Sequence, residues 1–185
     1  PMPRVKGLAF RSVLKALAAL RGDEAQERVL AALDEPRSRA LRFVVASSWY
    51  PIEDYVALWS ALQRCTGSDP DFPRLIGRRC IEQDLRLVHK VALSALSVDT
   101  VLAISVRLFG NYYDTGSCRA HHAGSGVTRV EFSGCVGFSR DLWMELRGSM
   151  ECFAEQASKS PATSLLVSGG RDGDPSCVMD LKWRH

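Results

Sequence analysis

No segment of this 185-residue sequence comes near the roughly 18 consecutive apolar residues that a membrane-crossing helix needs, so no such helix is expected. Charge of one sign is not in excess either. The chain carries 24 Lys and Arg against 21 Asp and Glu, a net charge of +3. The one doubled basic pair lies in GRRC at 77–80, and no basic stripe interleaves with aromatics, so a nucleic-acid surface is not expected. The sequence has no CxxC, no Walker loop, no GxGxxG, no GxSxG and no HExxH. Each of those motifs places backbone amides, a nucleophile or metal ligands at a fixed spacing, and their absence weighs against an enzyme of the recurrent classes. The six cysteines, at positions 65, 80, 118, 135, 152 and 177, are scattered rather than clustered. That spacing suits reduced thiols packed as small core residues, not a disulfide scaffold or a zinc ribbon. The opening PMPRVKGLAF runs into Arg11, Lys15 and Arg21 at helical spacing rather than into a secretory leader, which points to a cytoplasmic location.

What is present fits a folded domain. Hydrophobic residues make up 46% of the chain, charged residues 24% and aromatics 8%, enough to build one sizeable core and too apolar for disorder. We expect a single α+β domain over 1–185, with a helical part at about 5–114 and a ββαββ part at about 115–185. In the first part, Phe10, Val13, Leu14, Leu17 and Leu20 share one face of a helix over about 7–20 that Gly22 ends. Asp23 is placed to cap a second helix presenting Ala25, Val29, Leu30 and Leu33, and Pro36 marks a break. The apolar run Leu41 to Ala46 is too short for periodicity to tell helix from buried strand. Pro51 fits the first turn of a helix with Ile52, Tyr55, Val56, Trp59 and Leu62 on one stripe, ended by Gly67. The turn SDPDFP at 68–73 launches a longer helix through about Leu93 that holds Leu75, Ile76, Cys80, Leu87 and Val91. Ser97 caps the fifth, whose face is Val98, Val101, Leu102, Ser105, Leu108, Phe109 and Tyr112.

Beyond Asp114 the pattern changes. Two short runs joined by Gly124-Ser125-Gly126 read as a hairpin. Ser139 caps a helix that faces Leu142, Trp143, Leu146, Met150, Phe153 and Ala157 inward, and a second hairpin pairs 164–168 with 177–183. In that last strand Cys177, Met179, Leu181 and Trp183 alternate with Val178, Asp180 and Lys182, which puts the first four on one buried face.

Few residues suggest chemistry. His121 and His122 are neighbours on a strand and point to opposite sides, so they do not reach one ion together. A site combining Cys118, one of these histidines, Cys135 and Cys177 requires adjacent hairpins, and core thiols are the preferred account. Asp172 and Asp174 in GRDGDPS lack the further acidic ligands of a calcium loop and read as turn residues. His89 sits on the long helix with no nucleophile near it in sequence. The aromatics form two groups: Trp49, Tyr50, Tyr55 and Trp59 around the start of one helix, and Phe109, Tyr112 and Tyr113 at the end of another. Such groups either fill a core or wall a pocket for a small apolar molecule.

Three stretches, VKGLAF at 5–10, SSWYPIEDYVALW at 47–59 and GDPSCVMDLKW at 173–183, resemble an uncharacterised domain family found largely in myxobacteria. More remotely, the order of helices followed by ββαββ, with GD..C before an alternating strand, is similar to 4-vinyl-reductase-type domains. That superfamily includes sensor domains of phenol-responsive activators, haem-based nitric-oxide-binding proteins and subunits of Golgi transport particles. The resemblance implies an α+β fold that holds a small apolar ligand or a protein partner, commonly as a dimer. In the phenol-sensor branch a zinc ion uses several cysteines. Cys177 matches the last of them, but Gly169 stands at the upstream position, so no zinc is expected here. The haem-binding branch uses an axial histidine on a helix, a place for which only His89 qualifies, and no surrounding motif supports the transfer. The reading that follows is a non-enzymatic binding module, a sensor or adaptor for a small hydrophobic molecule with no cofactor and no metal, walled by the seven aromatics. A protein-interaction or dimerisation module, and an enzyme with a site assembled from distant residues, are the alternatives.

Overall fold

A computed structural model describes residues 2–87 and 96–183. The chain begins with a short strand, β1 (Arg4–Lys6), and runs into α1 (Gly7–Arg21), α2 (Asp23–Ala31) and α3 (Glu35–Arg42). After β2 (Trp49–Pro51) come α4 (Ile52–Thr66), α5 (Phe72–Leu87) and α6 (Val98–Tyr112). The remainder is β3 (Ser117–Gly124), β4 (Val127–Ser133), α7 (Arg140–Ser158), β5 (Ala162–Gly169) and β6 (Cys177–Trp183). The α+β class and the ββαββ order stand as expected.

Strands β3 to β6 form one antiparallel sheet in the order β3-β4-β6-β5, so the last strand of the chain is an inner one. Its alternation is borne out: Cys177, Met179, Leu181 and Trp183 are buried and the residues between them are not. Across β4, Phe132 pairs with Cys177, Val130 with Met179 and Thr128 with Leu181, which continues the buried face. On the other face Arg129 holds Asp180 through two hydrogen bonds of 2.8 and 2.9 Å.

Helix α7 is the hub. The expectation of a one-sided helix is corrected, because from Leu142 to Ala154 every residue except Arg147 is buried. It packs on the sheet and on α5 at once. Gly77 and Gly148 allow that closeness: a Cβ on Gly77 would lie 2.0 Å from the Glu145 carbonyl oxygen, and one on Gly148 would lie 1.9 Å from that of Arg74. Gly77 therefore serves packing within the chain, not the contact between chains that small residues on an open helix face would suggest.

Other differences have local causes. Pro36 does not break the chain; it sits in the first turn of α3, where its missing N–H loses nothing, and the Asp34 side chain caps that turn at Arg37 N (3.0 Å). Six helices, not five, therefore precede residue 113 among the described residues. Asp23 is the first residue of α2 and makes no side-chain cap, that position falling to Gly22. Pro51 precedes α4 as its N-cap and ends β2. The run 41–46 is neither a buried strand nor wholly helix: α3 ends at Arg42, and Phe43 is 78% exposed. Leu108 is 38% exposed instead of facing inward. Ser97 and Ser139 cap α6 and α7 as expected, through hydrogen bonds to Thr100 N (3.2 Å) and Leu142 N (3.4 Å). Val91, Leu93 and His89 lie outside the described residues.

Candidate functional site

The small β1–β2 ribbon, absent from the sequence reading, positions the first aromatic group. Val5 pairs with Tyr50 and also bridges to Tyr113, so both groups are tied to one fully buried strand residue. Trp49 lies half-buried at the surface under the cations of Lys6 (4.4 Å) and Arg4 (5.7 Å). Tyr50, Tyr55 and Trp59 turn inward around Phe10, with ring centroids 5.4 Å (Phe10 to Tyr50), 4.8 Å (Phe10 to Tyr55) and 6.1 Å (Tyr55 to Trp59) apart. In the second group Phe109 stacks on Tyr113 at 4.9 Å, and Tyr113 meets Phe138, which the sequence reading did not include, at 4.9 Å. Phe138 and Phe132 then enclose Trp143 at 4.8 and 5.7 Å. Tyr112 is half-buried, and burial, followed by the Asp84 charge, raises its phenol.

Between the two groups stands a residue that sequence reasoning missed. Glu145 of α7 is 8% exposed, and the Tyr55 hydroxyl lies 2.9 Å from each of its carboxylate oxygens. Burial pushes its carboxyl up to about 8, with the Tyr55 hydrogen bond pulling the other way. Tyr55 and Tyr113 are driven well above the usual phenol range, first by burial and then by the Glu145 charge, and the Cys80 thiol is raised for the same two reasons. No periodic signal marks Glu145. It falls outside the arc that holds Leu142, Trp143, Leu146, Met150 and Phe153, and it is buried because α7 is covered on every side.

The polar line continues along α4. Gln63, two turns beyond Tyr55, donates from Nε2 to Asp141, one turn before Glu145, at 3.0 Å. Burial raises the Asp141 carboxyl. Between these contacts the Trp59 Nε1 and Gln63 Oε1 atoms are buried without a hydrogen-bond partner.

The remaining candidates separate. His121 and His122 are exposed on β3, and His122 Nδ1 lies 3.5 Å from Asp99. Cys118, Cys135 and Cys177 are free thiols gathered at one end of the sheet, raised by burial to about 12, 11 and 12, so they are held as thiols rather than thiolates. A Cβ at Gly169 would meet the Ser176 carbonyl oxygen at 2.1 Å, so a cysteine does not fit there without a backbone shift. Among the described residues no group of three or more His, Cys, Asp and Glu is placed to hold a metal ion. Asp172 accepts from Arg140 N at 2.7 Å, at the start of α7, and Asp174 from Arg171 N at 2.9 Å, which spends both on turn and helix geometry. No helix among the described residues is long and apolar enough to cross a membrane.

No family model matches the sequence, and no curated relative does. Solved structures do match. The chain is similar to a variant of the Tt H-NOX protein (TM-score 0.73, 15% identity, 97% of this chain and 95% of that one). It is also similar to an oxygen-binding H-NOX domain related to soluble guanylate cyclases (TM-score 0.72, 14% identity, 97% and 95%). An Fe(II) unliganded H-NOX variant from K. algicida matches with TM-score 0.72 and 14% identity over 97% of each chain. The likeness shows the fold: the described residues have the architecture of H-NOX domains.

The donor chemistry does not fit a haem among the described residues. Their two imidazoles are exposed on β3, while the buried groups that face the interior are a carboxyl, phenols and thiols whose acidities are all suppressed by burial. None is a buried imidazole, and the buried thiols and phenols are held protonated rather than as the thiolate or phenolate that other haem proteins use as ligands.

Proposed function

We propose that this chain is a non-enzymatic sensor or adaptor module that receives a small apolar molecule along the seam between α4 and α7, with Tyr50, Tyr55, Trp59, Phe109, Tyr112 and Tyr113 as walls and no cofactor. The observation that carries this reading is the hydrogen bond from the Tyr55 hydroxyl to the buried Glu145 carboxyl beside the first aromatic group. Apolar walls with a single polar group that fixes orientation are what a small-molecule site uses. A carboxyl kept neutral by its surroundings can accept or donate a hydrogen bond without the repulsion a fixed charge would bring to an apolar guest. The H-NOX architecture supports the same reading, since one of the similar structures is described as oxygen-binding.

Native mass spectrometry of the gently purified protein tests this, with a denatured sample as reference. The expected result is a mass excess below about 500 Da that denaturation removes and that Tyr113→Ala weakens, consistent with a pocket-sized guest. A bare chain mass, together with no rise in melting temperature across a panel of apolar aromatic compounds, contradicts it.

A second reading, a protein-interaction module, draws on one surface. Phe43 and Val45 are 78% and 52% exposed. Val45 adjoins an open groove of about 430 Å³ lined by Leu8, Ala46, Trp49 and Gly110. Exposed apolar residues gathered at a groove are the usual mark of a partner surface.

A further inference from the structure

Helix α4 meets α7 through polar contacts, whereas α5 meets it backbone against backbone at Gly77 and Gly148. The α4 contacts are the Tyr55 hydroxyl on Glu145 and the Gln63 amide on Asp141, so both end on a carboxyl. Between them Trp59 Nε1 and Gln63 Oε1 are buried and unpartnered, so this joint carries polar groups whose hydrogen bonding is incomplete. The groups around Glu145 are Tyr55 from α4, Cys80 and Asp84 from α5, Tyr112 and Tyr113 at the end of α6, and Asp141 a turn earlier on α7. None of these is a cation; the Lys15 ammonium of α1 acts on Asp84.

We propose that the α4–α7 seam is a proton-operated latch, closed over Glu145 while its buried carboxyl is neutral and released when Glu145 gives its proton to solvent. The resulting carboxylate has one phenol as its hydrogen-bond donor and no counter-charge, so it is better solvated in an opened seam. Opening frees α4 from α7 while Gly77 and Gly148 keep α5 in place. The latch needs no ligand and acts on the empty protein.

The sign follows from linkage. The closed form holds the proton up to about pH 8 and the open form, with a solvated carboxyl, only up to the ordinary value of 4.5. Opening is therefore suppressed at low pH, increases about tenfold per pH unit between those two values, and levels off above the higher one. Hydrogen–deuterium exchange of the α4 amides in the full chain, corrected for the intrinsic pH dependence of exchange, reads this directly. Glu145→Gln keeps the shape and the Tyr55 contact and is expected to flatten the profile. Tyr55→Phe removes the hydrogen bond that favours the ionised form, so its levelling-off moves to higher pH, a shift that a merely structural tyrosine would not produce. A flat corrected profile in the unaltered chain, the same slope in Glu145→Gln, or an unmoved plateau in Tyr55→Phe overturns the latch.

Discussion

Glu145 and Glu151 lie six residues apart on α7, both buried, and the chain treats them in opposite ways. Glu151, at 0% exposure, receives two hydrogen bonds from Arg74 at 2.7 and 2.8 Å. It also contacts Arg78 at 3.5 Å and accepts from the Ser164 backbone N–H at 2.8 Å and the Ser164 hydroxyl at 2.5 Å. It thereby fastens α5, α7 and β5 together. The same network occupies edge groups of β5, since Glu155 takes the Ala162 N–H (3.0 Å) and Arg147 the Ser164 carbonyl (3.0 Å), which blunts an otherwise open strand edge. Glu145 meets a phenol and a ring of other uncharged or acidic groups. Arginines face the one buried carboxyl, while the other has only a phenol and no counter-charge, so burial pushes it up.

The contrast breaks most severely on the Glu151 side. Arg74→Met leaves Glu151 with the two Ser164 hydrogen bonds and, as its counter-charge, the longer Arg78 contact, and an imperfectly paired buried carboxylate should lower stability by about 3 kcal/mol in urea unfolding. Next comes the backbone contact itself. Gly148→Ala puts a Cβ where the Arg74 carbonyl oxygen stands, so α5 and α7 must separate, at about 1–3 kcal/mol by the same measurement. Unlike the Glu145 substitutions, neither variant should alter the pH profile of α4 exchange, because neither residue is part of the seam.

The sequence made some of this legible and hid the rest for physical reasons. The inner strand β6 was readable residue by residue because a half-buried strand repeats every two positions. Ser97 and Ser139 were readable because a cap is a local event. Helix α3 is not legible because Pro36 reads as a breaker, although the first turn of a helix tolerates proline. The β1–β2 ribbon was lost because three-residue strands have no period to detect and their pairing joins residues more than forty positions apart. Seven of the aromatics are legible as two separate groups, which leave out Phe10, Phe132, Phe138 and Trp143. Between the groups stands Glu145, and an acidic residue on a helix is ordinarily taken for its solvent face. Its position lies outside the arc of Leu142, Trp143, Leu146, Met150 and Phe153, so periodicity does not mark it as buried. That Glu151 would find arginines and Glu145 a tyrosine depends on how α4 and α5 cross α7, which Gly77 and Gly148 set only once the chain is folded.

The central claim is that Glu145 is protonated in the folded protein at neutral pH. The side-chain carboxyl ¹³C chemical shift of Glu145, assigned with Glu145→Gln and followed from pH 4 to pH 9, tests it most directly. The account predicts a titration near pH 8. A midpoint near the ordinary carboxyl value of 4.5 would contradict it.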